Sequence, residues 1–438
     1  MEEPKEQQTP SPSEEQVSAV ERIAAQVKNA YDLLDTEDLQ SLHAGMELLE
    51  VLHPADQGEA LINLEPERQS QVMTALHPAV AAKVLEELEP DQAAEAVSDM
   101  DPEALAVVLD ETRPEVAADI LHQLPPVHAR ETQDAMRENG DVIALLQYDD
   151  ETAGGLMTPE YPVVRDSVTA GSALDVLRLL GPQAENVSSL YVVESDGTLV
   201  GSLGIITLAL ARPSLLMRDI MSPTVATVDA GTDQEECARL MQRYSLNQLA
   251  VVDADHHLVG VILGEEAVDV VEEEATEDMF SMVGMGGERL SGPLLGSVRH
   301  RLPWLFVNLA TTVLAATVIS LFESTITRVA VLAAFLPVVA GQGGIGGTQT
   351  LTLVVRSMAL GGLPRGPGLR MLGREVVLGA IHGLLLGLAV GLLGYAWQGN
   401  FTLGIILAAA MLGNMIVAGF AGAGVPLLLR KLKLDPAV

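Results

Sequence analysis

The segment 264–284, GEEAVDVVEEEATEDMFSMVG, is rich in carboxylates. Written as a helix, it aligns four acidic side chains at spacings of three or four residues: Glu266, Asp269, Glu273 and Glu277. Like charges at that spacing repel one another. Hard divalent cations prefer carboxylate and water oxygens, so the segment is a candidate binding site for such ions. The alternative is a solvated, charged helix, which is the usual role of an acidic run.

A second segment, GQGGIGGTQT at 341–350, places five glycines within seven positions of an otherwise apolar stretch. Bare backbone in lipid is tolerated only where it is buried in protein or lines a water-filled cavity. Small residues also let helices approach closely. The run is therefore either a tight helix crossing or a pore-lining break, and its neutral Gln and Thr oxygens favour a pore. The candidate pore-lining residues are Gly341, Gly343, Gly344, Gly347, Thr348 and Gln349.

Charge divides the 438 residues into two parts, because residues 1–298 carry a net charge of −42 and residues 299–438 carry +7. Four apolar stretches of roughly membrane-spanning length follow, at about 302–321, 329–360, 376–397 and 402–429. Basic residues precede the first stretch, separate the second from the third, and follow the fourth. The positive-inside rule assigns those three places, and with them residues 1–298, to the cytoplasm.

Little in the chain indicates catalysis. It has no Ser-His-Asp motif, no phosphate-binding loop and no His/Cys metal cluster, so we expect no enzyme. The single cysteine, Cys237, excludes an intramolecular disulfide. Residues 1–15 are polar and lack the apolar core of a signal peptide, and we predict that they are disordered.

A proline recurs every twelve residues, at Pro54, Pro66, Pro78, Pro90, Pro102, Pro114 and Pro126. Proline suits the first turn of a helix, where its missing N–H costs nothing. The spacing therefore predicts a series of helices of about nine residues each. Such short helices must stack to bury their apolar faces, which indicates a helical solenoid. A protein-binding scaffold is the ordinary function of such a solenoid.

Residues 150–280 contain a duplication. Each copy has a Met-[Ser/Thr]-Pro motif, an extended segment, a helix and a strand pair containing LVG. The Asp196-Gly197 pair predicts a hairpin turn in the first copy. The two copies resemble a tandem pair of CBS domains. The Ser/Thr-x-x-Asp of nucleotide-binding pairs is replaced by GIITLAL and ILGEEAV, so nucleotide binding is left uncertain.

The whole chain resembles the MgtE family of bacterial magnesium channels and transporters. The matching stretches are DETAGGLMTPEY at 150–161, TDQEECARLM at 232–241, EATED at 274–278, FES at 322–324, the glycine run with Gln349, and LLLRKLKLDPA at 427–437. The fold implied is multidomain: a disordered tail (1–15), an acidic all-α right-handed helical solenoid (16–140), two α/β CBS domains (141–212 and 213–272), an acidic connecting (plug) helix (264–298) and an α-helical transmembrane bundle (299–438).

The resemblance implies a homodimeric magnesium channel in the bacterial inner membrane, with membrane lipid and divalent cations as partners and no nucleic acid. Its N-terminal and CBS domains are cytoplasmic, and cytosolic Mg²⁺ bound to them and to the connector holds the pore shut. Sensing ligands carried over by position are Glu115, Asp119, Asp233, Glu235, Glu266, Asp269, Glu274, Glu277, Asp278 and Asp435. Lys83 and Ser245 stand where the family has acidic residues.

One departure concerns the fifth membrane helix of the family, which carries the pore aspartate. The sequence stops where that helix is expected to begin, so we expect four spans. No carboxylate lies within a predicted span, although an intramembrane carboxylate is the usual functional marker. The second hypothesis is therefore a C-terminally truncated, non-conducting magnesium sensor anchored in the membrane.

Overall fold

The computed structural model describes residues 14–36, 39–137, 139–180, 188–224, 226–286, 294–359 and 368–432. The chain forms two compact units, Met1–Val270 and Val271–Val438. Helix α1 (Glu14–Leu34) begins two residues inside the predicted disordered tail, so that boundary was wrong. The rest of the tail, 1–13, lies outside the described residues.

Each of the seven periodic prolines begins a helix, as predicted. The solenoid helices are α1, α2 (Leu39–Leu49), α3 (Pro54–Ile62), α4 (Pro66–Ala75), α5 (Pro78–Leu85), α6 (Pro90–Val97), α7 (Pro102–Leu109), α8 (Pro114–Gln123), α9 (Pro126–Ala135) and α10 (Gly140–Leu145). Proline fixes φ at its own position and holds the preceding residue extended, so each helix starts at a proline and follows an extended residue. Two of these preceding residues, His53 and His77, also accept a backbone N–H of the first turn.

Alternate solenoid helices pack on one another, α5 on α7 and α6 on α8, and this pairing makes two layers. The inner faces consist of small and branched apolar residues. Leu85, Leu105 and Ile120 are fully buried between the layers. Helices of eight to ten residues are too short to be stable alone, so this shared core stabilises them.

Two small sheets follow the solenoid, and their common topology confirms the CBS pair. The first module contains α11 (Ala153–Leu156), β1 (Val163–Arg165), α12 (Ala170–Leu180), β2 (Ser189–Val193), β3 (Leu199–Gly204) and α13 (Ile205–Leu210). The second contains α14 (Met217–Ile220), β4 (Thr227–Asp229), α15 (Gln234–Tyr244), β5 (Gln248–Val252) and β6 (Leu258–Leu263). In each sheet the first strand is parallel to the second, and the second is antiparallel to the third.

The predicted Asp196-Gly197 turn joins β2 to β3, with Gly197 at a φ of 95° that favours glycine. This turn also holds the two modules together. Leu199 donates its backbone N–H to the carbonyl of His256 at 3.1 Å, and Leu258 donates to Gly197 at 3.4 Å. The hairpins of the two modules are therefore paired end to end.

Helix α16 (Gly264–Ser281) follows β6 directly and contains the acidic run. The predicted connecting helix extended to 298, but α16 ends at Ser281 and residues 294–298 belong to the next helix. The second unit then contains α17 (Leu294–Ser320), α18 (Glu323–Arg328), α19 (Val331–Ala359), α20 (Leu369–Gln398) and α21 (Phe401–Lys431). In the described part of the chain, α17, α19, α20 and α21 are long and apolar enough to cross a membrane.

The glycine run forms a continuous part of α19, so the alternative of a broken helix was wrong. One side of the run packs on α21. A Cβ at Gly343 would overlap the side chain of Asn414, and one at Gly346 would lie 2.7 Å from Met415 Cε. Gly341 and Gly344, on the other side, have open space around them. The run therefore serves as a tight helix crossing along one face.

Helices α20 and α21 approach even more closely. Glycines recur every four residues along one face of α20, at Gly379, Gly383, Gly387 and Gly391, and all four are buried. A Cβ at Gly387 would lie 2.7 Å from the carbonyl oxygen of Ala408. The backbones of the two helices are thus in direct contact, as small-residue repeats permit in lipid.

Candidate functional site

The start of the first CBS module, directly after the solenoid, is anchored on the second CBS module. Ala153 and Gly154 donate their backbone N–H groups to the carbonyls of Thr232 and Ala230 at 2.7 and 2.8 Å. Gln234 donates in return to Glu151 at 3.0 Å. The chain stretches that matched the family motifs thus contact each other. Their contact places the end of the solenoid beside the second module.

Arg113 lies at this end of the solenoid, as the residue before the proline that begins α8. Its backbone is extended (φ −53°, ψ 136°), and its backbone N–H donates to Glu86 Oε1 at 2.9 Å. Its guanidinium Nη1 lies 3.5 Å from Glu115, 3.4 Å from Glu265 and 3.2 Å from Glu266. We call Arg113, Glu115, Glu265 and Glu266 the Arg113 junction, which links α8 to the first turn of α16.

Glu115 is the most deeply buried member of the Arg113 junction, at 4 % exposure. Its Oε2 atom is buried without a hydrogen-bond partner. Burial raises the pKa of its carboxyl to about 7, against the opposing effect of Arg113. Burial likewise raises the pKa of Glu266, although Arg113 opposes the shift. Both carboxylates are thus costly to keep charged and depend on a nearby cation.

The other predicted sensing residues lie on three helices of the chain. Asp119 lies one turn beyond Glu115 on α8. Asp233 precedes α15, and its side chain accepts the backbone N–H of Glu235 at 3.0 Å. Four further residues lie along α16: Asp269, Glu274, Glu277 and Asp278. Asp435 lies outside the described residues.

Among the described residues, the one group of ligand atoms close enough to share a metal ion is Asp253, Asp255 and His257. This group lies in the turn between β5 and β6, and none of its members was predicted as a ligand. Asp253 accepts the backbone N–H groups of Asp255 and His257 at 2.9 and 2.8 Å. These bonds are typical of an Asx turn, which accounts for the cluster.

Arg113 is the cation that faces Glu115 and Glu266 in this structure. One oxygen from each of three carboxylates lies within 3.5 Å of the same guanidinium nitrogen. Magnesium requires oxygens at about 2.0–2.1 Å and retains several waters. The described chain thus supplies a cation of its own at this junction.

The membrane unit contains a buried carboxylate that sequence reasoning missed. Glu375 was placed just outside the third span, but α20 begins at Leu369 and includes it. Glu375 is 4 % exposed. It accepts hydrogen bonds from Arg374 at 2.8 Å and from the Thr350 hydroxyl at 3.4 Å. Its position within an apolar helix could have been recognised by extending the span to the preceding glycine.

The predicted pore residues fall on two sides of α19. Gly343 and Gly347 lie on the side that packs on α21, where Asn414 donates its side-chain N–H to the Val339 carbonyl at 2.6 Å. Gly341, Gly344, Thr348 and Gln349 are exposed within the described unit. The pore-lining role of all six remains a prediction, and the exposed four are available to a partner surface.

A helical solenoid, a CBS pair, an acidic connecting helix and four long apolar helices define a multi-pass membrane protein with a large soluble region. Sequence profiles identify the parts. The profile of MgtE, a divalent cation transporter, matches residues 336–438, and that of the MgtE intracellular N domain matches 52–151. A CBS-domain profile matches 217–273.

Curated relatives include the magnesium transporter MgtE of Thermus thermophilus, which is 35 % identical over 72 % of this chain and 70 % of its own length. The magnesium transporter MgtE of Enterococcus faecalis is 34 % identical over 69 % of this chain and 66 % of its own length. The chain belongs to the MgtE family, which confirms the predicted resemblance. The matched region spans about two thirds of the length of these relatives.

Solved structures agree with the fold of the soluble region. The soluble part of a magnesium transporter matches 58 % of this chain and 99 % of its own, with 27 % identity and a TM-score of 0.50. The cytosolic domain of the Mg²⁺ channel MgtE in complex with ATP matches 56 % of this chain and 99 % of its own, with 35 % identity and a TM-score of 0.51.

Proposed function

We propose that this protein transports Mg²⁺ across the bacterial inner membrane as a homodimeric channel, and that cytosolic Mg²⁺ bound to its acidic soluble region closes it. Family membership and the names of the curated relatives support the substrate. The net charge of −42 on residues 1–298 supports the regulation, because such a surface requires counter-ions.

The observation that carries the regulatory proposal is the composition of α16. This helix follows the second CBS module and contains acidic residues in every turn and no Lys or Arg. Without counter-ions, its carboxylates repel one another and those of a second copy. Mg²⁺ that binds more tightly to the closed arrangement shifts the equilibrium toward it. Because hydrated Mg²⁺ uses few protein ligands, the affinity should be weak, and the protein should respond to millimolar ion.

The alternative of a non-conducting, membrane-anchored sensor is less well supported. Three curated relatives at 32–35 % identity are named as magnesium transporters. The soluble part of a magnesium transporter also resembles the soluble region of this chain over nearly its full length. We therefore favour transport with sensing over sensing alone.

The test is Mg²⁺ uptake by the full chain in a bacterial strain that lacks its own magnesium transporters. The double variant Asp269→Asn/Glu274→Gln should conduct at cytosolic Mg²⁺ levels that close the parent. The matched control is Asp101→Asn/Glu103→Gln, which removes the same charges from the exposed start of α7. Absence of uptake by the parent would contradict transport. Equal Mg²⁺ dependence of both double variants would contradict a specific role for α16.

A further inference from the structure

The residue before each proline of the solenoid repeat varies in charge. These residues are His53, Glu65, His77, Glu89, Asp101, Arg113 and Pro125. Arg113 is the one among them with a permanent positive charge. The extended backbone before proline holds it outside the helix that follows. The repeat thus presents a guanidinium at the start of α8, where it pairs with Glu265 and Glu266 of α16.

Three carboxylates converge on this guanidinium from two elements of the fold. Glu115 belongs to α8, while Glu265 and Glu266 belong to the first turn of α16. All three distances to Nη1 lie between 3.2 and 3.5 Å. The Arg113 backbone N–H also donates to the side chain of Glu86, at the C-terminal end of α5, and this bond fixes the position of Arg113. Arg113 is therefore the shared cation of the contact.

A second observation indicates that this place needs a cation. Glu115 Oε2 is buried without a hydrogen-bond partner of its own, and besides Arg113, among the described residues, only a backbone N–H and Thr158 stabilise the charged carboxyl group against the cost of burial. Removing one partner of a buried ion pair leaves an uncompensated charge, which is strongly destabilising. Without Arg113, three carboxylates would face one another across the contact between α8 and α16. Another cation, such as a hydrated divalent ion, would then stabilise the contact between the charged carboxylates.

We propose that Arg113 is a built-in counter-ion that occupies the place of a sensed metal ion and holds α8 against α16 independently of cytosolic Mg²⁺. The contact persists when Mg²⁺ falls, so the response to Mg²⁺ is confined to the carboxylates farther along the chain. Replacing Arg113 with a neutral residue converts the junction into a magnesium-dependent contact. This inference rests on the proposed function in taking Mg²⁺ as the cytosolic ligand.

Amide hydrogen exchange on the full chain in detergent, in EDTA and in millimolar MgCl₂, tests the proposal. Exchange in α8 should be equally slow in both conditions for the parent. Arg113→Gln should exchange at least about tenfold faster in EDTA and return toward the parent rate in MgCl₂. Arg113→Lys, which keeps a charge, should remain near the parent in both conditions.

The matched control is Arg178→Gln, since Arg178 pairs with Asp175 on the exposed surface of α12. It should leave exchange in α8 and α16 unchanged. The amides of α4, remote along the solenoid, indicate whether each variant is folded. If Arg113→Gln loses protection there too, the double variant Glu265→Gln/Glu266→Gln replaces it, and should exchange fast in both conditions.

Two results would overturn the proposal. One is a parent whose α8 amides accelerate in EDTA as much as those of Arg113→Gln. The other is a neutral variant that stays as protected in EDTA as the parent. Because the readout is backbone protection at the junction, a chain that fails to transport Mg²⁺ can still pass this test, and a chain that transports it can fail.

Discussion

The solenoid and the α20–α21 pair join their helices by opposite means. The solenoid buries leucine, isoleucine and valine side chains between two layers of short helices. The α20–α21 pair has glycines at its contact, so that one backbone touches the other. Water drives the burial of large apolar side chains, but lipid does not, since lipid tails are as apolar as leucine. Close contact between backbones replaces side-chain burial in the membrane unit.

A buried glutamate in each region extends this comparison. Glu115 and Glu375 are equally buried, and each lies beside an arginine. The arginine of Glu115 is shared with two carboxylates of α16, whereas Glu375 is bound by its own neighbour and by Thr350 of α19. The first arrangement links elements through a cation that another ion can replace. In the second arrangement, the carboxylate of Glu375 accepts its hydrogen bonds from residues of the helix bundle itself.

The largest expected effect comes from removing a large side chain from the solenoid core. Leu105 is fully buried, and Leu105→Ala should destabilise α7 by about 2–5 kcal/mol. The control is Val107→Ala on the same helix, where the side chain is 43 % exposed. Hydrogen exchange of α7 amides in the full chain measures both. Equal effects of the two variants would show that side-chain burial does not stabilise the solenoid.

In the membrane unit, adding a methyl group should destabilise the packing. Gly387→Ala places a Cβ 2.7 Å from the Ala408 carbonyl oxygen, and should cost about 1–3 kcal/mol. Gly413→Ala is the control, because nothing lies within 4 Å of its new Cβ and alanine favours helix. The thermal unfolding midpoint in detergent should fall for the first variant only. A lower midpoint for Gly413→Ala would contradict the packing argument.

The pH dependence of the Arg113 junction should be weaker in Glu115→Gln than in the parent. The folded-state pKa of Glu115 is about 7, raised by burial from the ordinary 4.5. Between these values the folded protein holds more protons than the unfolded one, so the Glu115 contribution to stability is complete below pH 4.5 and is lost as the pH rises through 7. Stability of α8 should fall by about 2 kcal/mol from about pH 5 to 7.

Hydrogen exchange of α8 amides across that pH interval, corrected for the intrinsic rate, measures this change. Glu115→Gln should show a flatter profile than the parent. A parent whose α8 becomes more stable as the pH rises would contradict the sign of the effect.

The smallest effect should come from the prolines themselves. Pro102→Ala removes a residue that suits the first turn of α7 and should cost about 0.4–1 kcal/mol, mainly by enlarging the unfolded ensemble. Glu103→Ala, at the exposed next position, is the control. Exchange in α7 should accelerate slightly for Pro102→Ala. A loss as large as that of Leu105→Ala would mean that proline contributes more than a helix start.

Sequence reasoning predicted the helix starts of the solenoid because proline acts locally, through its own φ and the preceding residue. It also predicted the CBS pair, since a duplicated motif is visible without contacts. It missed the pairing of Arg113 with Glu265 and Glu266, which are about 150 residues away and meet it only in the folded chain. It favoured a pore at the glycine run and missed the close contact between Gly343 and Asn414, because Asn414 meets Gly343 only in the folded chain.

The alternation of the solenoid layers restricts how this stretch can change in length. Inserting or deleting one twelve-residue repeat keeps every helix start at a proline, but it transfers everything upstream of the change to the opposite layer. Two repeats together restore both the helix start and the layer. Insertions or deletions whose length is not a multiple of twelve residues would rotate the apolar faces of the helices outward. Evolution, or an engineer grafting this scaffold, can therefore lengthen it without repacking only by pairs of repeats.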